Sequence, residues 1–168
     1  HQLAQARSGA GLHSEASALY ARCLQLDPRM GEAWLYWGKM LEKGDQLDHA
    51  AATYRNALKS VPKSVPIHYR LARLMKASGD IREALNHYLK VVEINPRFAE
   101  AYFQAGVCQV ETDQISEATD SFHRAVELKP DLPLARFNLA VGLLKLGRLA
   151  EALEHLKKLA VENPNDTQ

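Results

Sequence analysis

A chain of 168 residues is long enough for one compact domain or for about four or five helical repeats of the 34-residue kind. Its 21 Lys and Arg stand against 20 Asp and Glu, a formal net charge of +1, so it carries neither the basic field of a nucleic-acid binder nor an acidic tail. With 46% hydrophobic and 24% charged residues the balance is that of a folded protein, and the ten-residue uncharged stretch Ala101–Val110 falls short of the about twenty residues a membrane core requires.

Along the chain, prolines recur at Pro28, Pro62, Pro96, Pro130 and Pro164, 34 residues apart. Twelve residues before each stands Ala16, Ala50, Ala84, Ala118 or Ala152, and four beyond each alanine comes Tyr20, Tyr54, Tyr88, Phe122 or Leu156. Periodicity of this length is the mark of a repeat architecture. It divides a single domain over 1–168 into an incomplete amino-terminal unit, 1–30, and four full units at 31–64, 65–98, 99–132 and 133–166.

Each unit reads as two amphipathic helices. From Gly31, the residues Trp34, Trp37, Gly38 and Leu41 recur at i, i+3, i+4 and i+7, which places them on one helical face. Lys43-Gly44-Asp45 breaks that helix, and Leu47, Ala50, Tyr54, Ala57 and Leu58 trace a second one. The corresponding breaks are Ser78-Gly79-Asp80 and Leu146-Gly147-Arg148, where glycine supplies a left-handed turn residue. Ala4, Gly38, Ala72, Gly106 and Ala140 let paired helices approach closely, and the recurring aromatic fills the gap between units. Each proline fixes φ and removes a helical donor, so every unit turns at the same point.

With these residues in place, the chain resembles a tetratricopeptide repeat array, whose signature is W-x₂-L-G-x₂-Y, A-x₃-F and P. The matches are Trp34-x₂-Trp37-Gly38-x₂-Leu41, Ala50-x₃-Tyr54 and Pro62, then Tyr102-x₂-Ala105-Gly106, Ala118-x₃-Phe122 and Pro130. His68 and Arg136 depart from the first aromatic, and Leu156 from the second. The resemblance implies an all-α, right-handed superhelical solenoid of tandem helix-turn-helix units, lined on its concave side by the first helix of each unit.

Little in the sequence points to chemistry. His87 and His155 occupy equivalent places two units apart, on the order of 20 Å at ordinary helix spacings, and no H-x-x-x-H pattern occurs. Cys23 and Cys108 fall on small apolar positions, 85 residues apart, with no paired metal motif. Gly142 and Gly147 have the spacing of a phosphate loop but lack its Lys and Ser or Thr. No catalytic residue, metal or cofactor is expected, and the chain reads as a non-catalytic scaffold or adaptor.

The expected partner is a protein or peptide segment in the concave groove. At one fixed place on successive first helices stand Leu35, Tyr69, Phe103 and Phe137. These residues either form an apolar ladder for a partner or thicken the packing between helices. Four residues on come Lys39, Arg73, Val107 and Val141; Arg70 and Lys76 complete a basic patch with Arg73, whereas Val107, Val110, Val141 and Leu144 make the later units apolar. A segment with an acidic part and an apolar part suits such a surface, and the amides of Gln104 and Asn138 could bond its backbone. The family's chaperone-carboxylate clamp is not matched, because Leu35, Tyr69, Glu100 and Leu134 hold its lysine positions. Nor is the asparagine ladder of glycosyltransferase arrays, whose place is taken by Tyr36, Arg70, Gln104 and Asn138. Leu149, Leu153, Leu156 and Leu159 leave the last helix without a polar cap, so further chain or another copy of the protein is expected to cover it, the alternative being that the exposed end is tolerated. The alternatives to an adaptor are a substrate-docking or regulatory array of a larger enzyme, of glycosyltransferase or hydroxylase type, and a homo-oligomeric assembly module.

Overall fold

A computed structural model describes residues 13–162. Ala4 and Pro164 lie outside the described residues, as does the end of the unit drawn at 133–166. Among the described residues there are nine α-helices and no strands. In chain order they are α1 (His13–Leu26), α2 (Gly31–Lys43), α3 (Leu47–Ser60), α4 (Val65–Ala77), α5 (Ile81–Ile94), α6 (Ala99–Glu111), α7 (Ile115–Leu128), α8 (Pro133–Lys145) and α9 (Leu149–Glu162). The chain forms two compact units that divide after Ser78. In the first, α1 packs on α2, α2 on α3 and α3 on α4; in the second, each helix from α5 to α9 packs on its neighbour in sequence.

Both kinds of turn follow from local chemistry. Between α2 and α3, and again between α6 and α7, the left-handed residue is an aspartate, Asp45 (φ 56°) and Asp113 (φ 61°). At the same repeat position the other two turns use Gly79 (φ 87°) and Gly147 (φ 76°). Gly79 and Gly147 thus do what their sequence contexts predict. Gly44 does not: its φ is −86°, and Asp45 takes the left-handed place one residue later, a conformation that aspartate tolerates better than most side chains. Pro66 and Pro133 sit in the first turns of α4 and α8, where a missing N–H costs nothing. Asp80 caps α5 by accepting the Glu83 N–H at 3.1 Å.

The cores alternate small and large residues. In the first unit, Ala16, Tyr20, Ala50, Tyr54, Ala57, Ile67 and Leu71 are buried, and the Trp37 ring stacks on Tyr20 at 6.5 Å and on Trp34 at 5.9 Å. Gly38 lies so close to the Tyr54 ring that a Cβ there would overlap it. In the second unit a cluster forms around Phe122, Ala125, Leu139, Leu143 and Ala152, and a Cβ on Gly106 would stand 2.6 Å from Phe122 Cε1. Gly142 presses on Thr119 in the same way, so that glycine belongs to a helix contact and not to a phosphate loop.

Candidate interaction faces of the first helices

The residues singled out from the sequence lie on the first helices of both units. In the first unit they stand on α2 and α4. Leu35, Lys39 and Tyr69 are half-buried and Arg73 is exposed. The Lys39 ammonium lies 5.4 Å from the centre of the Tyr36 ring, within reach of a cation–π contact.

Arg70 is not the open cation that its place in a basic patch implies. Its Nη1 lies 3.0 Å from both carboxylate oxygens of Glu42, one first helix away. The Tyr54 hydroxyl donates to Glu42 Oε1 at 2.6 Å. Three helices are therefore joined through one carboxylate: Glu42 on α2, Tyr54 on α3, Arg70 on α4. Burial, then the hydrogen bond to Glu42, pushes the Tyr54 phenol well above its ordinary range, so it stays a proton donor. The sequence signal for this knot is an acid seven residues beyond Leu35, on the same stripe of its helix.

In the second unit the face belongs to α6 and α8 and is apolar. Phe103 and Val107 pack against the core cluster, with the Phe103 and Phe122 ring centres 6.0 Å apart. Phe137 is 51% exposed, with Leu134 at 68%, Leu144 at 44% and Val110 at 41%. Asn138 and Gln104 are half-buried, and Gln104 already has an interaction within the protein. Leu134, Phe137, Val141 and Leu144 follow one another at i, i+3, i+7 and i+10, a continuous stripe along α8. The opposite side of α8, with Ala135, Leu139, Ala140 and Leu143, is buried in the core. Leu134 is the member of this stripe that the ladder reading passes over.

In three of the four full repeats the fourth residue has a role that its side-chain type conceals. Trp34 Nε1 donates to the Pro28 carbonyl at 2.8 Å, and Arg136 Nη2 to the Pro130 carbonyl at 2.7 Å. His68 Nε2 lies 2.9 Å from the Pro62 carbonyl, so a ring protonated on Nε2 makes the same bond. An indole, an imidazole and a guanidinium thus bind the carbonyl six residues back, which is why His68 and Arg136 can stand in an aromatic position.

Other candidate chemistry is placed as follows. Cys108 is buried and Cys23 half-buried, its Sγ 3.5 Å from Met30 Sδ. Burial, then the nearby Arg136 charge, holds the His155 imidazole below its usual pKa. Among the described residues no cluster of three His, Cys, Asp or Glu side chains could hold a metal ion, and no helix is long and apolar enough to cross a membrane. On α9, Leu149 and Leu153 are 65% and 51% exposed, while Leu156 and Leu159 are half-buried.

A family model described as "Tetratricopeptide repeat" matches residues 40–105 and 113–168, and a second with the same description matches 1–65. No curated protein matches the chain. Among solved structures, "Crystal structure of MamA protein" is similar in fold, with a TM-score of 0.80 at 18% identity over 97% of this chain and 89% of that one. YrrB, described as "a TPR protein with an unusual peptide-binding site", gives a TM-score of 0.79 at 24% identity over 98% of this chain and 84% of that one.

Proposed function

The chain belongs to the tetratricopeptide repeat family, and on that premise we propose that it is a non-catalytic interaction scaffold that docks a protein segment on the first-helix faces of its units. The observation that carries the reading is the stripe of exposed Leu134, Phe137 and Leu144 with half-buried Val141 among them, on a helix whose other side is already core. A helix that is apolar all round is covered on both sides in a folded assembly. A partner segment with its own apolar residues covers the stripe, gaining about 25 cal/mol per Å² of apolar surface removed from water. The helices under the stripe are fixed by their packing, so ordering costs fall mainly on the partner. Asn138, beside Phe137, offers an amide to the partner's backbone.

The first unit contributes differently. Leu35 and Tyr69 give small apolar footholds there, and Arg73 and Lys39 favour an acidic stretch of partner chain. Arg70 is held by Glu42 and contributes by keeping α2 and α4 in register. YrrB, similar in fold, is described as having a peptide-binding site, which supports the class of ligand without locating the site.

The test is a pull-down from native extract with the wild-type chain beside a Phe137→Ser, Leu144→Ser variant, whose two changes lie on exposed side chains and should leave helicity intact. A protein retained by the first bait and lost from the second is the expected result. Equal retention by both baits overturns the assignment to the α8 face.

A further inference from the structure

The first unit has an open hollow of about 440 Å³ at the loops that precede α2 and α4, lined by Arg29, Gly31, Val61, Pro62, Lys63 and Ser64. Val61 and Pro62 give it apolar lining, and both ionisable side chains that line it are cations. Asp27 and Glu32 stand near in sequence but do not line it; the Asp27 carboxylate accepts the Arg29 backbone N–H at 2.9 Å. Arg29 and Lys63 are both exposed, and among the described residues neither has an ion-pair partner.

The second unit supplies an internal control at equivalent positions of the repeat. Where the first unit has Arg29 and Lys63, the second has Arg97 and Asp131, so the two charges oppose. Where the first has Gly31 and Ser64, the second has Ala99 and Leu132, and Leu132 packs against the core cluster. There Lys129 is also occupied, its Nζ 3.0 Å from Glu100 Oε1. One repeat frame thus leaves a roomy, doubly cationic hollow in the first unit and substitutes larger residues and a neutral pair in the second.

We infer that this hollow binds a short acidic segment of a partner protein, with a carboxylate between Arg29 and Lys63 and an adjoining apolar side chain on Val61 and Pro62. Charge complementarity selects the acid, and the apolar lining distinguishes a peptide from a simple anion. The site is independent of the α8 stripe and would stand if that face proved unoccupied.

The experiment is an amide-resolved NMR titration of the full chain with acetyl-Glu-Leu-Glu amide, acetyl-Gln-Leu-Gln amide and inorganic phosphate. The acidic peptide is expected to shift the Gly31 and Ser64 amides in a saturable way, with affinity about tenfold above that of the glutamine peptide and weakened by salt. An Arg29→Glu, Lys63→Glu variant, checked for unchanged helicity, should lose about tenfold in affinity; Lys63→Met alone gives a smaller loss without reversing charge. Equal binding of the two peptides, no response at Gly31 and Ser64, or the same response to phosphate would each overturn the inference. Shifts confined to α8 would also overturn it, while leaving the reading of the α8 face intact.

Discussion

The two units answer one structural question in opposite ways. Between neighbouring first helices the first unit places Glu42 and Arg70, with the Tyr54 hydroxyl supplying a third bond. The second has Val110, Asn138 and Phe122 at the same repeat positions. One face is closed by charge; the other is left apolar, with Val110 and Phe137 open to solvent. Within an unchanged frame, differences at these three positions leave one first-helix face tied to itself and the other without that tie.

The largest effect expected from testing this contrast is at the glycines beneath the aromatic rings. Gly38→Ala drives a methyl into Tyr54, whose hydroxyl is held by Glu42, whereas the Phe122 ring above Gly106 has no such anchor. Urea unfolding should show a loss of about 3 kcal/mol for Gly38→Ala and about 2 for Gly106→Ala; equal losses would mean the knot does not restrain Tyr54. Next, Glu42→Gln removes the charge that Arg70 and Tyr54 share and should cost about 1–2 kcal/mol by the same assay. Transplanting the pair into the second unit, Val110→Glu with Asn138→Arg, should leave stability within about 1 kcal/mol of wild type while abolishing retention of an apolar partner. Undiminished retention would show that the contrast does not govern binding. The smallest effect belongs to the turns: Asp45→Gly and Asp113→Gly should each gain about 0.5 kcal/mol by relieving a positive φ. Unequal gains would mean that the two aspartates are held at positive φ by different surroundings.

Much of the fold was legible because its causes are local. Proline, glycine and the alternation of small with large residues act within one repeat, and five prolines in register reveal the period. The left-handed Asp45 was missed because the adjacent Gly44 is the more usual choice. Of the candidate site, the apolar character of Phe137 and Leu144 could be read directly. The state of Arg70 could not, since it depends on Glu42, 28 residues away, and no intrahelical spacing links the two. Nor could the difference between Phe103, packed on the core, and Phe137, half open, because both occupy the same repeat position.

The bond from the fourth residue of a unit to the carbonyl six residues back, made by Trp34 and Arg136 and matched in geometry by His68, bears on how the chain folds. Each such joint closes a loop so short that little chain entropy is lost in forming it. Contacts of low sequence separation speed folding, and in a stacked array structure can nucleate at any unit and spread to its neighbours. A joint that tryptophan, histidine or arginine can each make keeps this short loop closed whichever of the three side chains a repeat carries there.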